Sequence, residues 1–170
     1  MAVVASADEA GWALRRGATI LQLRIPGAPG RALEKEARAV IPTAPVPLLV
    51  NARVDVALAV GAFGVHLPEQ DVPVAAARRL LGDRLVGRSV HSLEAALEAE
   101  SDGADYLVLG PVFATATHSH LEPLGLEALR EVAARVRVPV LAIGGVDEAR
   151  AAECLAAGAA GFAAIRYFQG

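Results

Sequence analysis

The sequence predicts a (β/α)8 barrel, the TIM-barrel architecture, on three observations. Short apolar runs alternate with Ala/Leu/Glu-rich helical stretches along the whole chain. The runs are apolar on both faces, as the strands of a parallel sheet covered by helices must be. A short glycine phrase recurs where helical stretches give way to apolar runs: Arg16-Gly17-Ala18-Thr19, Val60-Gly61-Ala62-Phe63, Asp102-Gly103-Ala104-Asp105 and Ala157-Gly158-Ala159-Ala160. Glycine in the left-handed region closes a helix, and a repeated helix-to-strand turn means repeated βα units.

In chain order, strands are expected at 2–5, 19–23, 47–50, 64–66, 85–87, 106–109, 139–142 and 162–165. Helices are expected between them at 8–16, 32–40, 53–60, 73–81, 92–100, 126–135 and 147–156. Ser92 and Asp147 stand where a side-chain oxygen caps the first free N–H groups of a helix. Residues 1–170 form one domain, since the length suits a single core. No eighth helical pattern follows the last strand, and the chain is shorter than the usual barrel. The expectation is a barrel lacking its last helix, with a second subunit covering the flank beside the first and eighth strands. A doubly wound open sheet is the alternative.

Composition excludes several classes. A net charge of -3 argues against partners recruited by charge, whether nucleic acid or an anionic membrane. No apolar run reaches the roughly 18 residues of a membrane span. The N-terminus has neither a basic segment nor a long apolar core, so no secretory signal is read. Cys154, the single cysteine, lies in a helical stretch and reads as a core residue. A soluble cytoplasmic protein is expected.

Function in such a barrel collects at the carboxyl ends of the strands. Those positions carry Gln22 and Arg24, Asn51 and Arg53, His66 with Glu69 and Asp71, then Arg88, Ser89 and His91. The sixth strand opens the stretch from Asp105 to Leu126, which breaks at Gly110-Pro111 into a polar loop holding Thr115, Thr117, His118, Ser119 and His120. Gly144-Gly145 and Arg166 complete the ring. Polar and basic groups on an otherwise apolar chain suggest an anionic ligand. Gly144-Gly145 ahead of a helix leaves backbone N–H groups for a phosphate, and Thr115, Thr117 and Arg166 on neighbouring loops favour that reading. His118 and His120 are the acid/base candidates, because imidazole titrates near neutral pH. His66 ends a strand and reads equally as a packed, hydrogen-bonded residue; His91, before a helix cap, reads as structural. No third ligand supports a metal at His118-x-His120, and Glu69 with Asp71 reads as a solvated acidic face.

The motifs together resemble the thiamine phosphate synthase/TenI superfamily. They are Gln22-Leu23-Arg24, Asn51-x-Arg53-Val54-Asp55, Gly64-Val65-His66-Leu67, Gly87-Arg88-Ser89-Val90-His91-Ser92, Gly110-Pro111-Val112-Phe113, Thr115-x-Thr117, and Ala142-Ile143-Gly144-Gly145-Val146. The resemblance spans nearly the whole chain and implies a thiamine phosphate synthase-like barrel. Synthases of the family join a pyrimidine diphosphate to a thiazole phosphate, releasing pyrophosphate with magnesium. Against their pattern, Pro26 and His118 stand at lysine positions, Ala52 at a magnesium-binding aspartate, and Arg166 at a serine; Asp71 is the one metal carboxylate kept. The Gly-Arg-Ser-Val-His-Ser run and the Asn-x-Arg without aspartate are similar to TenI, the thiazole tautomerase branch, whose proton transfer needs no metal.

What the resemblance implies is therefore a TenI-like tautomerase of a thiazole carboxylate phosphate, acting in thiamin biosynthesis without a cofactor. The tautomerase pattern has a histidine where Pro111 stands, so His118 or His120, and less readily His66, would carry the proton. Gln22, Arg24, Asn51, Ser89, Thr115 and Thr117 would bind the substrate, and Gly144, Gly145 and Arg166 its phosphate. The partner implied is a small phosphorylated thiazole, with neither nucleic acid nor membrane, in a homo-oligomer. Two alternatives stay open: a synthase, with Mg2+ at Asp71, and a non-catalytic barrel that binds a phosphorylated ligand.

Overall fold

The structure, a computed structural model, describes residues 1–115 and 122–169. Eight strands form one parallel sheet in chain order. They are β1 (Ala2–Val4), β2 (Leu21–Leu23), β3 (Leu48–Asn51), β4 (Gly64–Leu67), β5 (Leu85–Val90), β6 (Tyr106–Leu109), β7 (Val140–Ile143) and β8 (Gly161–Ala163). Between them run α1 (Ala7–Arg15), α2 (Gly30–Val40), α3 (Val54–Val60), α4 (Val74–Leu81), α5 (Leu93–Ser101), α6 (Gly125–Arg135) and α7 (Glu148–Ala156). The sheet closes on itself: Val3 N donates to Ala164 O at 3.0 Å and Ala164 N to Met1 O at 3.1 Å. Closure decides for the barrel and against the open sheet.

The local signals explain the elements. Ser92 Oγ accepts from Ala95 N at 3.1 Å, and Asp147 Oδ1 from Arg150 N at 2.9 Å, so both expected caps are made. Ser6 caps α1 in the same way, accepting from Glu9 N. The four repeat glycines all have positive φ, from 69° at Gly61 to 97° at Gly158. The main departure is β5, which runs to Val90 rather than ending at 87. Arg88 and Ser89 look like loop residues in sequence, but Arg88 pairs with Leu67 and Leu107, and Ser89 with Val108. Pairing with β6, and for Arg88 with β4 as well, holds them in the sheet.

Strand alternation sorts the apolar residues into two layers. Leu21, Leu23, Val50, Val65, Leu67, Leu107 and Leu109 are fully buried between sheet and helices. Leu49, Tyr106, Val108, Leu141 and Ala163 cluster separately inside the barrel. Cys154 is buried in the outer layer, as its helical setting implied. After β8 the chain makes one 3-10 turn, Arg166–Phe168. Phe168 is buried with Ala10 and Ala13 of α1, and Phe162, Tyr167 and Phe168 stack edge and face around the turn. No helix among the described residues is long and apolar enough to cross a membrane.

Candidate active site

A cavity of about 730 Å³ opens at the carboxyl ends of the strands. Inward alternation places Gln22 on β2, Asn51 on β3, His66 on β4 and Ser89 on β5 at its wall, above a floor that includes Val3, Val108 and Ala163. Arg24, Thr115, Gly144, Gly145 and Arg166 reach the same cavity from the loops. The ring of residues expected at the strand ends is thus largely brought together. Gln22 is nearly closed off, 4% exposed, with its Nε2 3.5 Å from Met1 Sδ. The side chains of Arg24, Asn51 and Arg166 make no hydrogen bond or ion pair among the described residues.

His66 lies deeper than an acid/base in contact with substrate would. It is 2% exposed, and both ring nitrogens are engaged: Nδ1 is 3.0 Å from the Tyr106 hydroxyl and Nε2 is 2.8 Å from Ser89 Oγ. Burial, helped by the charges of Arg88 and Arg24, pushes its imidazole down to about 3, so the ring is neutral at physiological pH. Burial likewise pushes the Tyr106 phenol well above its ordinary range. Sequence reading missed Tyr106. The signal was present in the register, since His66 pairs with Gly87 and Gly87 with Tyr106. The glycine leaves the row open for the phenol to cross.

The other end of the cavity is walled by the diglycine turn after β7. Gly144 and Gly145 have φ of 95° and 66°. A β-carbon on Gly144 would lie 2.6 Å from Pro111 Cα, and one on Gly145 2.5 Å from Ala114 O. The turn is pressed against the segment after β6, with Val112 N donating to Ile143 O and Phe113 N to Gly144 O. Only glycine fits both the dihedrals and the spacing. The N–H groups of Gly145 and Val146 meet no acceptor among the described residues. Gly145 and Val146 both line the cavity, just before α7. Arg150, which sequence reading also missed, braces this turn: its Nη1 donates to Gly145 O at 2.8 Å and its guanidinium lies 4.8 Å from the Phe113 ring centre. It sits three residues after the cap Asp147, the spacing at which a helical side chain turns back over its own N-terminus.

Other expected residues fall elsewhere. Thr117, His118 and His120 lie outside the described residues. Arg53 turns away from the cavity to Asp55, 2.8 Å from Nε to Oδ1. Arg88 spans the loop after β4, donating to Glu69 O and Val72 O. His91 does line the cavity, together with Glu69: its Nδ1 is 2.8 Å from Glu69 Oε2 and its backbone N–H donates to Glu69 Oε1.

The described residues do not fit a protein-held magnesium ion. No group of three or more His, Cys, Asp or Glu is placed to share a metal among them. Ala52 offers no donor, both Glu69 oxygens are taken by His91, and Asp71 Oδ1 accepts from Val72 N at 2.7 Å. One carboxylate is thin support for a hard cation.

Comparison with known proteins agrees with this architecture. Residues 5–168 match the family model described as thiamine monophosphate synthase. A thiamine-phosphate synthase of Chloroflexus aurantiacus is 50% identical over 153 residues, covering 88% of this chain and 71% of that one. One from Pyrococcus horikoshii is 44% identical over 161 residues, covering 93% and 78%. The solved thiamine phosphate pyrophosphorylase from Pyrococcus furiosus superposes with a TM-score of 0.88 at 39% identity, over 96% of this chain and 84% of that one.

These likenesses overturn the tautomerase expectation. The relatives at 44–50% identity carry the synthase name. Among the described residues, Pro111 brings no titratable group to the cavity, and His66 is buried with both nitrogens engaged. The lysine and aspartate replacements that pointed to the tautomerase branch alter single side chains within a synthase-like framework.

Proposed function

We propose that this chain, which belongs to the thiamine monophosphate synthase family, is a transferase that joins a phosphorylated thiazole to a pyrimidine diphosphate and releases pyrophosphate. The observation that carries the reading is the division of one cavity into two polar ends. At one end the N–H groups of Gly145 and Val146, with Arg166 and Thr115 beside them, suit a monophosphate. At the other, Arg24 and Asn51 present unpartnered polar groups beside Ser89. Two phosphorylated substrates bound at opposite ends bring their organic parts together over the apolar floor, and that proximity is a large share of catalysis for two reactants.

The bond from carbon to the pyrophosphate oxygen breaks as the bond to the thiazole forms, and the leaving pyrophosphate takes the bonding pair. Negative charge grows on that oxygen, so donors already aimed at it lower the barrier. Arg24 and Ser89 are this chain's donors on that wall. The chemistry magnesium supplies to such a reaction is charge neutralisation on pyrophosphate, and the described carboxylates do not hold it.

The test is to incubate the protein with the pyrimidine diphosphate and the thiazole phosphate, with and without magnesium, and to follow thiamine phosphate and pyrophosphate. Both products forming in equal amounts supports the transferase. Saturable binding of the thiazole phosphate with no product overturns it in favour of a ligand-binding barrel, the reading that Pro26 and Ala52 support.

A further inference from the structure

His66, Gly87 and Tyr106 form one row across three adjacent strands. A β-carbon on Gly87 would lie 2.0 Å from Tyr106 Cζ, so the phenol crosses the glycine to reach His66 Nδ1. His66 Nε2 then reaches Ser89 Oγ, at the cavity wall. A neutral imidazole has one N–H and one lone pair, so the chain can run in either direction.

We infer that it runs one way: Tyr106 O–H donates to His66 Nδ1, His66 Nε2–H donates to Ser89 Oγ, and the Ser89 hydroxyl proton is left to donate to an anionic oxygen of the bound ligand.

The reason is hydrogen-bond accounting. In the reverse direction, His66 Nδ1–H would donate to the Tyr106 oxygen, and the Tyr106 O–H would need a second acceptor. Tyr106 is 7% exposed, and His66 is the only hydrogen-bond partner of its hydroxyl among the described residues. A buried O–H without an acceptor is costly. Ser89 is half-buried and opens onto the cavity, so its proton can find a ligand. Only the first direction satisfies every buried donor. An anionic acceptor follows from Arg24, a cation that lines the same cavity and makes no hydrogen bond or ion pair among the described residues. Tyr106 and His66 are positioning residues; Ser89 is the group that touches the ligand. The ligand part of this inference rests on the transferase reading of the cavity; the direction of the chain does not.

Nitrogen-15 NMR of the ligand-free protein near neutral pH reads the His66 tautomer directly. The proton is expected on Nε2; a proton on Nδ1 overturns the inference. Tyr106→Phe should leave a mixture of tautomers, and a variant that keeps the pure Nε2–H form would remove Tyr106 from the directing role. Ser89→Ala should weaken the binding of inorganic pyrophosphate, measured by calorimetry, by about tenfold. Unchanged affinity in that variant overturns the donor role. Absence of turnover with the tautomer in place would defeat the transferase reading alone.

Discussion

The ring of Tyr106 lies directly against the α-carbon of Gly87, close enough that a β-carbon there would fall 2.0 Å from Tyr106 Cζ. Both residues are buried in the barrel interior. Gly87→Ala should therefore destabilise the protein by about 1–3 kcal/mol through overpacking. Denaturant unfolding of Gly87→Ala, Tyr106→Leu and the double variant checks the cause. The double variant should lose less than the sum of the two, because the pair is in contact. Full additivity would mean that the clash is not where the cost arises.

Acid should destabilise the fold through His66. Its folded value is about 3 against an ordinary 6.5, so between those values the unfolded chain binds the extra proton. Stability is full above 6.5 and falls as the pH drops below it, by up to about 1.4 kcal/mol per pH unit. The groups facing the ring work in one direction: Tyr106 and Ser89 are uncharged, and Arg88 and Arg24 are cations that oppose protonation. Urea unfolding between about pH 7 and pH 5 should show the slope, and His66→Gln should flatten it.

Arg150 should matter to phosphate affinity although it is aimed at protein. It holds Gly145 O at 2.8 Å and packs on Phe113, and so keeps the N–H groups of the turn in place. Arg150→Met retains bulk on Phe113 but loses the hydrogen bond. Binding of the thiazole phosphate should weaken roughly tenfold, with Arg166→Ala causing a similar loss by removing a charged donor. Calorimetric titration that finds Arg150→Met unchanged would show the turn to be held by its packing alone.

Ala52 is the one described residue other than glycine with positive φ, at 65°. Its N–H donates to His66 O at 2.9 Å, which ties the conformation to the end of β4. Alanine in this region costs about 1–2 kcal/mol, whereas glycine, and to a lesser degree asparagine, tolerates it. Ala52→Gly and Ala52→Asn should each raise the melting temperature by a few degrees, read by thermal unfolding followed by circular dichroism. A fall in both would show that the methyl group contributes packing worth more than the strain.

The glycine repeats, the caps at Ser92 and Asp147 and the apolar runs are local signals, each acting within a few residues. They carried the barrel, the order of its elements and the ring of polar residues at the strand ends. The tight turn at Gly144-Gly145 was also legible, because paired glycines ahead of a helix mark a backbone with positive φ. Which branch of chemistry the site serves was not. The differences at Pro26, Ala52, Pro111 and His118 concern single side chains, and their weight depends on what stands beside them in space.

By itself the sequence determined the architecture and the place where function gathers, since strand and helix periodicities and turn chemistry are properties of short segments. Only the tertiary structure decided which polar residues act together. Register put Gly87 between His66 and Tyr106, and strand pairing drew Arg88 and Ser89 into β5. Packing brought Arg150 back onto Gly145 and sent Arg53 out to Asp55. These contacts join residues from different strands and turns. They depend on inter-strand register and on volume, which no local pattern encodes.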